Sequence, residues 1–294
     1  MSATPPSITL PAALDADRAR AGVEPVALLA LPGALYLLVA FALPLSLLLL
    51  TSFVSNGRWT LAAYTKFLAD PFSWTVITNT LRAAALTTVI CLLAGYPVAF
   101  ALAGARGALQ GLLLAALIVP RSVGVVVKAF SWTILLRSDG AVNTLLVGLG
   151  IVHAPVRLIF TESGLVLGAV NIFLPFMVLP IFSVVKLLDP RLPEVAATLG
   201  SSPLHRFLHV TLPLTMPGVI AGVAFVFSMS VSMYVIPTLL MGDRFKTLSI
   251  LIARSFLFMR DRSVGSTVSV VLLLIAVAVV VASAVLTRRW QPRR

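Results

Sequence analysis

Long runs of apolar positions alternate along this chain with short polar stretches, and charged residues mark where each run ends. A helix that crosses a bilayer needs about 20 predominantly apolar residues, and an ionised group near the bilayer centre is costly. Five stretches lack Asp, Glu, Lys and Arg over at least that length: 25–57, 83–105, 163–185, 207–242 and 263–287. Each predicts a membrane-spanning helix. A sixth, third in chain order, is expected over 107–136, where Arg121 and Lys128 interrupt the run. It either ends near Pro120 or turns those cations toward protein or water. Residues 140–156 are uncharged too, but Gly140, Asn143, Gly148, Gly150, His153 and Pro155 punctuate them like an extramembranous loop with a short helical turn. The pattern thus predicts an all-α polytopic membrane protein of about six helices: a tail over 1–25, a membrane domain over 26–287 and a basic tail over 288–294.

Composition strengthens this picture. Of 294 residues, 59% are hydrophobic and 11% charged, against roughly 25% charged in a soluble domain. The net charge of +12 would suit a nucleic-acid partner in a soluble protein. Here the basic residues sit in loops and tails, so membrane topology explains them and no nucleic acid is expected. With both termini inside, Lys and Arg divide almost evenly between the two sides and do not settle orientation. The tail bearing Arg288, Arg289, Arg293 and Arg294 favours a cytoplasmic C-terminus and would attract anionic lipid. The first apolar run is too long for a signal-peptide core and is expected to be retained. A lone Cys91 excludes an intrachain disulfide and offers no metal pattern.

Connections between the spans are unequal. Residues 53–74, 137–162 and 241–262 fall on one face, and 186–213 stands alone on the other. Prolines recur in the spans, at Pro32, Pro44, Pro97, Pro120, Pro175, Pro180, Pro217 and Pro237. In lipid a broken helical hydrogen bond is tolerated where neighbours or a water-filled cavity satisfy the freed group, which suits a transporter, although Gly and Pro are also commoner in membrane helices generally.

The polar loop 188–213 concentrates Asp189, Arg191, Glu194, His205, Arg206 and His209. Pro193 suits a first helical turn, and Glu194 beside it complements the positive helix end. Gly200 can take the left-handed conformation that stops this helix, Ser201 or Ser202 can cap a second, and Pro203 can start it. Two short helices joined by a glycine turn are expected. Ala196 and Ala197 keep one face slim, while Leu204, Phe207 and Leu208 make the next turn apolar, as a knob for a groove on another protein requires.

This loop resembles the EAA loop of ABC importer permeases, in which Glu-Ala-Ala is followed after three residues by Gly and after nine more by Ile-x-Leu-Pro. Here Glu194-Val195-Ala196, Gly200, and Val210, Leu212 and Pro213 fall at those positions, with Val195 in place of the first Ala and Val210 in place of Ile. Further strings resemble the polyamine-type, spermidine/putrescine branch: Phe130-Ser-Trp-Thr-Ile-Leu-Leu136, Gly140-Ala-Val-Asn143, Leu174-Pro-Phe-Met-Val-Leu-Pro180, Pro213-Leu-Thr-Met-Pro-Gly218 and Tyr234-Val-Ile-Pro-Thr-Leu-Leu240. Met241-Gly242 and Arg260-Asp-Arg-Ser-Val-Gly265 depart from that branch's Leu-Gly-Gly and Trp-Pro-x-Gly elements.

The resemblance implies a type I ABC importer permease fold in the bacterial inner membrane, translocating a polyamine or a similar small nitrogenous solute; importers of opines, amino acids, sugars or oxyanions are the alternatives. It implies as partners a second permease subunit, two cytoplasmic ATPase subunits and an external solute-binding protein. Glu194, Ala196, Ala197, Gly200, Leu204, Phe207, Leu212 and Pro213 would couple to the ATPase. No Gly-x-x-x-x-Gly-Lys-Ser/Thr loop occurs, so ATP and Mg are expected in the partner and no cofactor in this chain. No span carries a pair of acids for membrane-enzyme chemistry, and a passive channel would leave the polar loop without a purpose. Candidate solute-path residues are Lys128, Trp132, Asn171, Ser230, Met233 and Tyr234, the last three just before Pro237, where a helix break would open a polar vestibule. Core packing, and for Lys128 snorkelling to the interface, are the competing explanations.

Overall fold

The computed structural model describes residues 25–55, 58–189, 191–198, 200–242 and 245–290. Of the tail expected over 1–25, Pro25 opens the first helix and residues 1–24 lie outside the described residues, as do Arg293 and Arg294 and the side chains of Pro193, Glu194 and Ala197. Two units divide the chain, residues 1–50 and 51–294. The first is built on α1 (Pro25–Ser52), an apolar helix with Pro32 and Pro44 inside it. Its stretch Leu31–Ser52 is long and apolar enough to cross a membrane.

The second unit begins with a two-strand hairpin, β1 (Val54–Ser55) and β2 (Arg58–Trp59), antiparallel with Val54 opposite Trp59. Short α2 (Ala62–Ala69) leads to α3 (Pro71–Gly104). Asp70 caps α3 by accepting a bond from the Phe72 amide, and Pro71 occupies the first turn, where a missing N–H costs nothing. Next come α4 (Gly107–Ile118), α5 (Val125–Leu135), α6 (Ala141–Gly148) and α7 (Glu162–Leu187). The polar loop supplies α8 (Arg191–Thr198) and α9 (Pro203–Arg206), and α10 (Leu212–Ser232), α11 (Val235–Leu240), α12 (Leu248–Leu257) and α13 (Arg262–Trp290) complete the chain.

Helices α3, α7 and α10 pack on one another as the centre of this unit. Cys91, Ala99, Ala169, Met177, Val178, Ile181 and Val226 are fully enclosed there. Lipid tails are as apolar as Leu, so membrane helices associate chiefly through close packing, for which small residues are needed. Gly95, Gly218 and Gly222 meet this need. A Cβ on Gly218 would lie 2.8 Å from the Pro180 carbonyl oxygen, and one on Gly222 would lie 2.8 Å from Sδ of Met177. A smaller apolar cluster joins Phe67, Val76, Ile77, Leu248 and Val268, pinned by Thr80, whose Oγ1 accepts from the Leu248 amide at 3.0 Å.

The third span differs from a single straight helix. Two short helices, α4 and α5, meet at an angle of 98° across the 3-10 turn Val119–Ser122. The chain turns at Val123 and Gly124, both extended (ψ 127° and 146°), just after the 3-10 turn that holds Pro120. At about 1.5 Å per residue, neither piece alone spans a hydrocarbon core of about 30 Å. Five unbroken helices and this broken pair are therefore the candidate spans among the described residues. The fifth expected span, 207–242, is also interrupted: α10 stops at Ser232, Met233 turns extended (ψ 132°), and α11 resumes with Pro237 in its first turn.

Candidate functional site

Two ends of the second unit can be told apart by their bonds. At one, Arg82 pairs with Glu162 at 2.9 Å, Asn79 donates to the Lys246 carbonyl, and Asn143 staples its loop by donating to the carbonyls of Arg137 and Val156 and accepting from the Val156 amide. At the other, Gln110 donates to the Leu102 carbonyl, Lys186 donates to Gln110, and the polar loop protrudes between α7 and α10.

That loop has the helix-turn-helix form its residues require. Asp189 Oδ1 accepts from the Arg191 amide at the start of α8. Gly200, at φ +79°, reverses the chain after α8, and the Ser201 amide bonds back to the Ala196 carbonyl. Ser202 then caps α9, accepting from the His205 amide at 3.3 Å, with Pro203 in the first turn. A π-helical turn, Phe207–Thr211, carries the chain into α10 without a break. Leu204 (68% exposed), Val195 (56%) and Leu208 present apolar surface at the tip. Apolar exposure on a polar loop marks a surface that another protein can cover. Phe207 divides its ring between that surface and Tyr96 of α3, at 5.8 Å edge to face. Leu212 and Pro213 begin α10 rather than the knob, and Glu194 lies in α8. The His205 and His209 rings stack at 3.9 Å on the loop surface.

A cavity of about 400 Å³ opens where α10 breaks, between that break, α7 and the α4–α5 bend. Lys128, Met233 and Tyr234 line it, with Arg121, Phe173, Phe176, Met229 and Ser232. Tyr234 also borders a second cavity, of about 430 Å³, beside Thr238, Ala253, Arg254 and Phe258. It stands in the wall between the two. Trp132 and Asn171 are brought together rather than into the cavity: the indole N–H donates to Asn171 Oδ1 at 3.3 Å, and the Trp132 ring lies over Gly168. Ser230 is 1% exposed, and its Oγ has no hydrogen-bond partner among the described residues. Residues two apart on a helix point about 200° apart, so Ser230 and the cavity-lining Ser232 cannot share a face.

Helical spacing was the signal that would have found the other lining residues. Met229, Ser232 and Met233 stand at i, i+3 and i+4, as Ile172, Phe173 and Phe176 stand at i, i+1 and i+4. Arg121 carried its own signal, a cation beside a span-breaking proline. The chemistry this lining can offer is aromatic faces, thioethers and two cations, with no carboxylate among the described residues around the cavity.

Residues 92–294 match the family described as Binding-protein-dependent transport system inner membrane component. The chain is 36% identical over 211 residues to the spermidine/putrescine transport system permease protein PotB of Haemophilus influenzae, covering 72% of this chain and 73% of that one. To PotB of Escherichia coli it is 34% identical over 247 residues, 82% and 90% of the two chains. Its fold is similar to that of a chain of a bacterial ABC transporter involved in the import of alginate, with a TM-score of 0.73 at 16% identity over 94% of this chain and 99% of the other. The MetNI methionine ABC transporter, in an inward-facing conformation, matches with a TM-score of 0.57 at 17% identity over 76% and 100%.

Proposed function

Because the chain belongs to the family of binding-protein-dependent transport system inner membrane components, we propose that it forms half of the path of an ATP-driven importer and passes a polyamine, or a similarly small nitrogenous solute, into the cell. It is a multi-pass inner-membrane permease subunit with the type I importer fold. A second permease subunit pairs with it about a pseudo-two-fold axis, since one chain carries one knob and two ATPase subunits need two. ATP and Mg belong to those ATPase subunits, and an external binding protein delivers the solute.

The observation that carries this reading is the knob itself, α8 and α9 joined at Gly200 and continuous with α10 through the π turn. ATPase closure at the knobs moves α10, and the cavity lies at the far end of α10. Opening of the two ends of the path in turn is what such a coupling provides. The sequence likeness to PotB over 82% of the chain supports the polyamine class. With no acid among the described residues around the cavity, selectivity for a cation rests on aromatic faces and on the binding protein.

A thermal-shift screen of the cognate binding protein against putrescine, spermidine, opines, amino acids, sugars and oxyanions tests the solute. Stabilisation by a polyamine is the expected result. Stabilisation by a sugar or an oxyanion, with none by any amine, overturns the solute class. Co-purification with the cognate ATPase tests the permease assignment separately.

A further inference from the structure

Arg121 holds its guanidinium carbon 4.7 Å from the centroid of the Phe176 ring. Both residues line the 400 Å³ cavity at the α10 break. Arg121 comes from the 3-10 turn Val119–Ser122 at the 98° bend, and Phe176 from the middle of α7, one residue after Pro175. Neither Arg121 nor Lys128 makes an ion pair with a described residue. Among the described residues, the one aromatic face in this cavity that holds a cation is thus already filled by a cation of the chain itself.

We propose that the face of Phe176 is a recognition site for an alkylammonium group of the solute, and that Arg121 is its resident occupant, displaced when solute passes. This rests on the polyamine reading above. A cation within about 6 Å of an aromatic centroid is held by the ring quadrupole whether it is a guanidinium or an ammonium. Exchange of one for the other therefore conserves the cation–π contact and releases Arg121 into the cavity, where it and Lys128 repel the arriving charge. Resting affinity is low by construction. A path needs such a balance, with binding sufficient for entry and too weak to trap. Arg121 sets it, and an empty ring would bind solute more tightly.

The test uses the complete permease and ATPase complex in lipid nanodiscs without the binding protein, titrated with radiolabelled spermidine and putrescine in a scintillation proximity assay. Arg121→Gln should lower the dissociation constant about threefold to tenfold, the range expected for one uncovered cation–π site. Adding Phe176→Leu to that variant should cut the gain back to what removal of a positive charge alone gives, whereas Phe176→Trp should keep it whole. Lys128→Gln measures the effect of removing a positive charge alone, and its effect should be the same whether or not Phe176→Leu accompanies it. If Arg121→Gln does not assemble, Arg121→Met, unbranched and neutral, replaces it with the same expectation. An unchanged dissociation constant in the Arg121 variant, or a gain beyond that of Lys128→Gln that survives Phe176→Leu, overturns the proposal. Uptake by the wild-type complex with its binding protein separates the two failures. Normal polyamine uptake with no Arg121 effect sinks the inference alone, and absence of polyamine uptake sinks the solute class and this inference with it.

Discussion

The hydroxyl of Tyr96, on α3, stands 2.9 Å from Oγ1 of Thr215 on α10, while its ring meets that of Phe207 edge to face at the base of the knob. One side chain thus ties the polar loop to two of the three central helices. Thr215 is fully buried and also bonds to the carbonyls of Thr211 and Leu212 in the turn beneath it. Tyr96→Phe removes one bond of this set and leaves the ring contact. It should cost about 1 kcal/mol of stability and leave solute-stimulated ATPase activity intact. Tyr96→Ala also removes the ring and should lower that activity several-fold at normal membrane insertion. Thermal melts and ATPase assays on the two purified complexes separate the hydroxyl from the ring.

Gly200 has open space around it but a φ of +79°. Gly200→Val therefore meets backbone strain rather than a clash, of about 1–2 kcal/mol for a residue with a Cβ in this region. The knob should lose its shape while the spans still insert. Blotting of the membrane fraction should show normal levels, and solute-stimulated ATPase activity should fall to near the basal rate. Normal stimulation would refute the assignment of this turn to coupling.

Gly218 and Gly111 make a matched pair. Gly218→Ala would push a methyl group to 2.8 Å from the Pro180 carbonyl oxygen and 3.0 Å from the Ile181 Cα, both backbone atoms that cannot step aside. A destabilisation of about 1–3 kcal/mol is expected. Gly111, within α4, has nothing within 4 Å of where a Cβ would lie. Gly111→Ala should be neutral or stabilising by up to about 1 kcal/mol through helix propensity. Differential scanning fluorimetry in detergent should rank the two on opposite sides of wild type.

Cysteine scanning in a Cys91→Ser background should map the cavity. Single cysteines at Lys128, Phe176, Ser232 and Tyr234 should react with a membrane-impermeant thiol reagent in at least one nucleotide state, since all four line the cavity. A cysteine at Ser230 should stay unreactive in every state, because that position is buried. Strong labelling at Ser230, or none at Ser232, would place the path elsewhere.

The contrast between those two serines shows what the sequence made legible. Span positions followed from charge-free runs because the cost of a charge in lipid is large and local, and the knob followed from Gly200, Ser202 and Pro203 because caps and turns depend on near neighbours. Which face of α10 meets the cavity depends on α7 and on the α4–α5 bend, distant in the chain. Trp132 and Asn171 bond to each other for the same reason. Neither residue carries a local mark of its partner. The bend itself was half visible, since Pro120 announces an ended helix but not the direction in which the next one leaves.

Pro203 through Ser232 runs as one continuous helical rod of 30 residues, so at about 1.5 Å per residue it is about 45 Å long. Gly218, where an added Cβ would meet the Pro180 carbonyl of α7 at 2.8 Å, falls almost at its midpoint: about 22 Å separate it from Pro203 and about 21 Å from Ser232. A rod held at its middle is an equal-armed balance. Rocking it about that point returns at Ser232 nearly the whole displacement put in at Pro203, with the sign reversed. In the proposed importer, two knobs drawn together would spread the cavity-bearing ends apart by about as much, and the side chain absent from residue 218 would let such a pivot seat.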